Sequence, residues 1–302
     1  MNNDVVVRAV EVLRGGGVVA IPTETVYGLA GDVTNAAAVA RIYAIKGRPA
    51  EHPMILHAYT LDALEGFATI TPALRTLAER FWPGPLTAVV PRGPSTPSTV
   101  TGGQPTVAVR VPDHPLALAI LRAMGTPLAA PSANRFGRVS PTSAEHVRAD
   151  LGAAVELIVD GGPTRVGVES TIVDLTGEVP AVLRAGAITP SQLSSALGTF
   201  VVSRVASATR VPGTHPSHYA PRTALVLADD AAAEAQRRAD AGERAGALTL
   251  PDDPAAAAHT LYATLRALDE QGFDTIVATL PPDTEEWAAV RDRLTRAAAP
   301  HA

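Results

Sequence analysis

The sequence predicts an α/β protein in two parts: a twisted mixed sheet over residues 1–202 and a small parallel three-layer unit over 223–302, joined by a linker at 203–222. Three observations carry this. Short β-branched runs alternate with amphipathic helical stretches along nearly the whole chain. Before residue 200 the strands and helices keep no regular strand–helix beat, which argues for a mixed sheet, whereas from 223 the beat is regular. Between the two, Ser, Thr, Pro, His and Arg displace the apolar runs, as in a connecting segment.

The elements follow in order. Residues 4–14 read as a helix with Val5, Ala9, Val12 and Leu13 on one face, ended by Gly15-Gly16-Gly17. Val18–Ile21 is a short buried-type strand stopped by Pro22, and the polar stretch to Leu29 is read as a loop. Asn35 is placed to cap a helix over 36–45. Met54–His57 is a strand, and helices over 60–67 and 72–81 precede the turn Trp82-Pro83-Gly84-Pro85. Leu86–Val90 is the next strand. In Thr106–Val111 the alternation puts Thr106, Ala108 and Arg110 on one face and three valines on the other. A helix over 115–124, a strand over 127–130, a helix over 142–150, strands at 155–159, 170–175 and 181–184 and a helix over 190–197 complete the first part. The second part reads as strands 224–227, 247–250 and 275–280 alternating with helices over 230–241, 255–270 and 284–298.

Composition narrows the function. A chain of 302 residues with 46% hydrophobic content can build a substantial core. A net charge of −5 argues against a nucleic-acid coat or a membrane-surface binder, and against stable direct tRNA binding, though not against a local basic pocket. With no Cys there is neither a disulfide nor a thiolate site. Asp4, Arg8, Glu11 and Arg14 interrupt the N-terminus, and no apolar run approaches the roughly 20 residues of a membrane span, so a cytoplasmic protein is expected.

Lys46 is the only lysine among the 25 Lys and Arg residues, and a compact ammonium serves where a planar guanidinium fork does not fit. Arg48 follows two residues on, so in an extended segment both cations would point to one side. Thr23 and Thr25 leave a buried strand, either as hydroxyls for a small polar ligand or as turn formers. His57 ends a strand and is read, alone, as a structural histidine. Few acids occur near Arg110 in sequence, which favours a ligand carboxylate as its partner. Asn134, one of four asparagines, sits in the tight loop Ala130-Pro131-Ser132-Ala133-Asn134 after a strand, where ligands of α/β proteins collect, or where a turn needs an Asn. Ser170 and Arg184 add a hydroxyl and a cation at strand ends. Together these make a pocket suited to a polyanionic nucleotide and a small amino acid. There is no Walker-type loop, GxGxxG or Gly-x-Ser-x-Gly elbow, and His215 and His218 lack zinc-site companions.

Seven motifs, in order and spacing, resemble the threonylcarbamoyl-AMP synthases: Pro22-Thr-Glu-Thr-Val-Tyr-Gly-Leu29, Lys46-Gly-Arg-Pro49, Trp82-Pro-Gly-Pro-Leu-Thr87, Val107-Ala-Val-Arg-Val-Pro112, Ala130-Pro-Ser-Ala-Asn134, Gly167-Val-Glu-Ser-Thr-Ile172 and Leu183-Arg-x-Gly186. Pro212-Gly213 and His218-Tyr219-Ala220-Pro221, followed by an α/β stretch, resemble the two-domain form, with a YrdC-like domain and a small Rossmann-like domain. The resemblance implies synthesis of threonylcarbamoyl-AMP and pyrophosphate from L-threonine, bicarbonate and ATP, with Mg2+ accompanying ATP, no tightly bound cofactor, and a tRNA-modifying threonylcarbamoyltransferase complex downstream. It places threonine against Thr25, His57, Arg110, Ala130 and Ser170. It places the nucleotide against Arg48, His52, Thr106, Ser132, Ser140, Arg184 and Pro212, with Lys46 and Asn134 beside the phosphates, and it assigns catalysis to Lys46, Arg48, Ser132 and Asn134. The linker is expected to close as a lid, and the C-terminal unit, which offers no catalytic set, to position it. The linker departs from the family in lacking a lysine and an aromatic before His218-Tyr219, and Glu51 stands where relatives often carry a neutral residue. The alternatives are a non-catalytic RNA- or nucleotide-binding module using the same cavity, and a carbamoyl-transferring relative, against which the absence of Cys speaks.

Overall fold

The computed structural model describes residues 3–203, 209–213 and 218–299. Linker residues 204–208 and 214–217, with His215 of the His215/His218 pair, lie outside the described residues.

The first part contains α1 (Asn3–Arg14), β1 (Val19–Ile21), β2 (Gly28–Asp32), α2 (Ala36–Lys46), β3 (Ile55–His57), α3 (Pro72–Phe81), β4 (Leu86–Pro91) and β5 (Thr106–Arg110). It continues with α4 (Pro115–Met124), β6 (Leu128–Ala129), α5 (Ala144–Leu151), β7 (Leu157–Ile158), β8 (Thr171–Asp174), β9 (Ala181–Arg184), α6 (Pro190–Leu197) and β10 (Val202–Ser203). Its strands form one ten-stranded sheet, ordered β10-β9-β8-β4-β5-β3-β6-β2-β1-β7. The sheet is mixed: β3 runs parallel to β5 but antiparallel to β6, and β4 runs parallel to β8 but antiparallel to β5.

The alternation read in β5 holds. Val107 and Val109 enter the main core with Val39 and Ile42 of α2, Leu74 and Leu77 of α3 and Leu193 of α6. On the opposite face α1 and α4 cover one end of the sheet, packing Leu13, Ile120 and Leu121 on Val19, Ile21 and Leu128. The middle of that face is left to Ile55, Ala108 and Leu183, met there by Val211 of the linker. Arg110 is on the same face as Ala108, so the strand period delivers its guanidinium to the gap beneath the linker.

The second part is β11 (Ala224–Leu227), α7 (Ala231–Asp240), β12 (Ala245–Ala247), α8 (Pro254–Glu270), β13 (Thr275–Ala278) and α9 (Ala288–Ala297). Its three strands are parallel, in the order β11-β13-β12. Ala231 and Ala235 of α7 cover one face through Val277, while Leu261 and Leu265 of α8 and Leu294 of α9 cover the other through Leu225 and Ile276. This is the three-layer arrangement expected. The second core also takes in Val26, Val139 and Val168 from the first part.

Several elements differ from expectation, among them a short strand, β10, where none is expected and a β7 reduced to Leu157–Ile158. Residues 28–32 are a strand, β2, and not the end of a loop. Gly-Leu-Ala-Gly-Asp carries little β signal, but β2 is held between β1 and β6, and bare Gly31 admits Ile42, whose Cδ1 would lie 3.0 Å from an added Cβ. The helix expected over 60–67 is one 3-10 turn, Asp62–Leu64, cut off before Gly66 at a φ of 79°. The strand expected at 247–250 is Ala245–Ala247, and the last helix starts at Ala288 because residues before it form turns. Among the described residues no helix is long and apolar enough to cross a membrane.

Candidate active site

The gap over the middle of the large sheet is a narrow pocket, partly open to solvent. Four walls meet there. Thr23, Thr25 and Gly28 come from the segment between β1 and β2, His57 and Arg110 from the ends of β3 and β5, and Ala130 to Ser132 from the loop after β6. Glu169 comes from the segment leading into β8 and Arg184 from the end of β9, with Pro212, Gly213, His218 and Tyr219 of the linker above them.

Several of the polar groups are fixed by specific contacts. The Thr23 hydroxyl accepts from the amides of Thr25 and Val26 and donates to the Val26 carbonyl at 2.6 Å, so it is a turn former; it also lies 2.9 Å from the Thr25 hydroxyl. Arg110 Nε donates to the Gly84 carbonyl at 3.2 Å, and Nη2 lies 2.6 Å from Glu24 Oε1 in a pair with 4% and 1% side-chain exposure. Arg184 donates to the Ser170 carbonyl, the Ser170 hydroxyl and the Pro212 carbonyl, and Ser170 shares a 2.7 Å hydroxyl contact with Thr87. Glu169 accepts from Ser140 at 2.5 Å, from Tyr262 of α8 at 2.8 Å and from Arg293 of α9 at 3.0 Å.

Lys46 ends α2, where Gly47, at a φ of 61°, caps the helix and turns the chain toward Arg48. The segment is a helix end and not the extended strand that would have aligned the two cations. Lys46 Nζ donates to the carbonyls of Ser132 and Asn134 at 2.5 and 2.6 Å, pinning the loop after β6. Arg48 donates to the Pro53 carbonyl and lines the cavity itself.

Electrostatically cations outnumber anions at the site: among the described residues Lys46, Arg48, Arg110 and Arg184 face only Glu24 and Glu169. Burial, with Arg48 beside it, lowers Lys46 well below the usual lysine value, and burial takes Arg48 down to about 10 and lowers Arg184 as well. Buried cations with so little compensating charge favour a polyanionic ligand. Burial takes His57 to about 3, with Arg110 adding to it, and takes His218 to about 3, so both rings are neutral near pH 7. Glu169 goes the other way: burial would raise it, but Arg293, Arg184 and Ser140 carry it down to about 2.

A family model described as "Telomere recombination" matches residues 11–186, and one described as "Threonylcarbamoyl-AMP synthase, C-terminal domain" matches 188–299. The threonylcarbamoyl-AMP synthase of Bacillus subtilis is 40% identical over 98% of this chain and 94% of its own length. That of Pyrococcus abyssi is 37% identical over 94% of this chain and 91% of its own. The chain belongs to the threonylcarbamoyl-AMP synthase family. A crystal structure of P. abyssi Sua5 complexed with L-threonine superposes with a TM-score of 0.91 at 36% identity, over 97% of this chain and 94% of that one.

Of the residues the resemblance singled out, Thr25, Arg48, His57, Arg110, Ala130, Ser132, Arg184 and Pro212 line one cavity. Lys46, Asn134, Ser140 and Ser170 are buried just behind its walls. Asn134 donates to the carbonyls of Arg135 and Arg138, and its buried Oδ1 has no partner among the described residues. His52 and Thr106 do not line the cavity; the His52 ring packs edge-on against Phe136, 5.1 Å between centroids, and Thr106 stands at the far end of β5. The argument that Arg110 lacks acids is corrected by Glu24, close in space though remote in sequence. Glu24 was inside a motif already singled out, so its charge was the available signal. Glu169 likewise lies inside the Gly167–Ile172 motif, beside the Ser170 hydroxyl, whereas nothing in the sequence marks Tyr262 or Arg293.

Proposed function

We infer that this chain makes threonylcarbamoyl-AMP and pyrophosphate from L-threonine, bicarbonate and ATP, as a cytoplasmic nucleotidyltransferase supplying threonylcarbamoyl modification of tRNA through a downstream transferase. The observation that carries the reading is full-length similarity to threonylcarbamoyl-AMP synthases combined with a cavity walled by Arg48, Arg110 and Arg184. The catalytic body is residues 1–202, the lid 203–222 and the C-terminal unit 223–302.

The threonine amine attacks the carbon of bicarbonate; an N–C bond forms and water is lost, leaving a carbamate. A carbamate oxygen then attacks the α-phosphorus, an O–P bond forms, and the bond to pyrophosphate breaks. Fixed cations meet the charge that develops. Arg110 takes the amino-acid carboxylate, sharing its guanidinium with Glu24, and Thr25, neutral His57, Ala130 and Ser170 surround the rest of threonine. Arg48, Arg184, Ser132 and Pro212 face the nucleotide. Lys46 and Asn134 hold the loop beside the phosphates. Ser140 has committed its one proton to Glu169, so toward a nucleotide it can only accept, which suits a ribose hydroxyl and not a phosphate. Mg2+ enters as part of the MgATP substrate: Glu169, the one carboxylate lining the cavity among the described residues, is already taken by three donors. The hydroxyls and carbonyls near the phosphates offer no second acid to the ion.

Pyrophosphate release from ATP, with threonine and bicarbonate omitted in turn, tests this. Release that requires both is expected; release that needs neither, or none with magnesium present, would leave a nucleotide or RNA binder.

A further inference from the structure

Arg293 has a side-chain exposure of 0%, and apart from its neighbour Asp292 every polar partner it has among the described residues belongs to the other part of the molecule. Nε donates to Glu169 at 3.0 Å and Nη1 to the Ala185 carbonyl at 2.9 Å, while the guanidinium lies 4.9 Å from the centre of the Tyr219 ring of the linker. These two anchors are the chain neighbours of Ser170 and Arg184. Those in turn bind each other, with Arg184 donating to the carbonyl and hydroxyl of Ser170. A closed ring results: Arg293 to Glu169, along the backbone to Ser170, across to Arg184, along the backbone to Ala185, and back to Arg293.

Glu169 needs that arrangement. It lines a cavity otherwise furnished with cations, where a bare carboxylate would repel a triphosphate. Arg293 and Tyr262, both from the C-terminal unit, occupy Oε2, which leaves Oε1 to hold the Ser140 hydroxyl.

We propose that Arg293, with Tyr262, is a positioning residue for the reaction: the C-terminal unit fixes Glu169 and the strand ends bearing Ser170 and Arg184, and so builds one wall of the cavity besides carrying the lid. This rests on the synthase reading above.

The test uses the full chain and pyrophosphate release with threonine and ATP each varied. Tyr262→Phe removes one hydroxyl and little else; it is expected to fold and to lose roughly 10-fold in kcat/KM, the scale of one hydrogen bond to a charged group. Arg293→Met is expected to lose roughly 100-fold, chiefly in kcat. Arg293→Lys should recover little, because an ammonium lacks the fork that spans Glu169 and Ala185. The deciding comparison is Arg293→Met in a Glu169→Gln background. With the carboxylate already neutral, losing Arg293 should cost less than about 3-fold further, so the two changes fail to multiply. Melting curves on each variant keep a folding defect apart from a kinetic one.

Losses that multiply in the double variant, or a Tyr262→Phe protein with wild-type kinetics, would overturn the positioning role alone. A wild-type chain that releases no pyrophosphate with threonine, bicarbonate and MgATP would overturn the synthase reading and this proposal with it.

Discussion

Glu24→Gln perturbs the site at its least obvious point. Glu24 Oε1 lies 2.6 Å from Arg110 Nη2, both side chains are almost wholly buried, and Glu24 Oε2 also accepts from the Asp113 amide at 3.0 Å. Removing one member of a buried ion pair leaves the other uncompensated, at a cost of about 3–5 kcal/mol. Glutamine keeps an acceptor in place, so the low end, about 3 kcal/mol, applies. For a chain of this size that is a fall in Tm of roughly 5 °C. If Arg110 divides its guanidinium between Glu24 and the carboxylate of threonine, the ligand should replace part of what the variant has lost. Saturating threonine should then raise the melting temperature of Glu24→Gln by more than it raises that of the wild type, the surplus being about 1.5–3 kcal/mol, the scale of a hydrogen bond to a charged group. Thermal unfolding followed by fluorescence, with and without threonine, measures both shifts. A variant that melts with the wild type, or one in which threonine gives an equal or smaller shift, would refute the shared-guanidinium argument.

Four further outcomes follow from the same geometry. Burial beside Arg48 lowers Lys46, and a bound triphosphate would favour its charged form, so nucleotide binding should weaken as pH rises; binding titrations across a range of alkaline pH read this, and a pH-independent affinity would count against Lys46 facing phosphate. Lys46→Ala should cost about 10²–10³ in kcat in the pyrophosphate assay. Thr23→Val removes a hydroxyl with three backbone contacts and should lower stability by about 1–3 kcal/mol in denaturant unfolding, whereas Thr25→Val should chiefly raise KM for threonine. Glu169, depressed to about 2 from 4.5, supports the fold above pH 4.5 and loses that support as pH falls toward 2; Glu169→Gln should therefore abolish about 3 kcal/mol of acid-side stability loss in unfolding titrations, and an unchanged acid limb would contradict the contacts assigned to it.

The parts of the fold with local grammar were legible in the sequence. Helix α6 occupies the residues read for it, because Thr189, Pro190 and Gly198 supply a capping box, a first-turn proline and a left-handed stop. Helix α4, between His114-Pro115 and Gly125, is as clear. Strand β2 was not legible, since its five residues become a strand only through neighbours on both sides. The cavity follows the same division. Arg110 could be placed on its face from a period of two, and the motif residues it meets could be gathered by resemblance. The pairs that set the charge balance, Glu24 with Arg110 and Glu169 with Arg293, join remote segments; no periodicity records them, and they exist only once the sheet and the C-terminal unit are assembled.

The most direct measurement of the central claim is the identity of the product formed from carbon-labelled bicarbonate, nitrogen-labelled threonine and MgATP. The account predicts one adenylate that carries both labels, released with pyrophosphate. An adenylate carrying the threonine nitrogen without the bicarbonate carbon, or AMP carrying neither label, would contradict it.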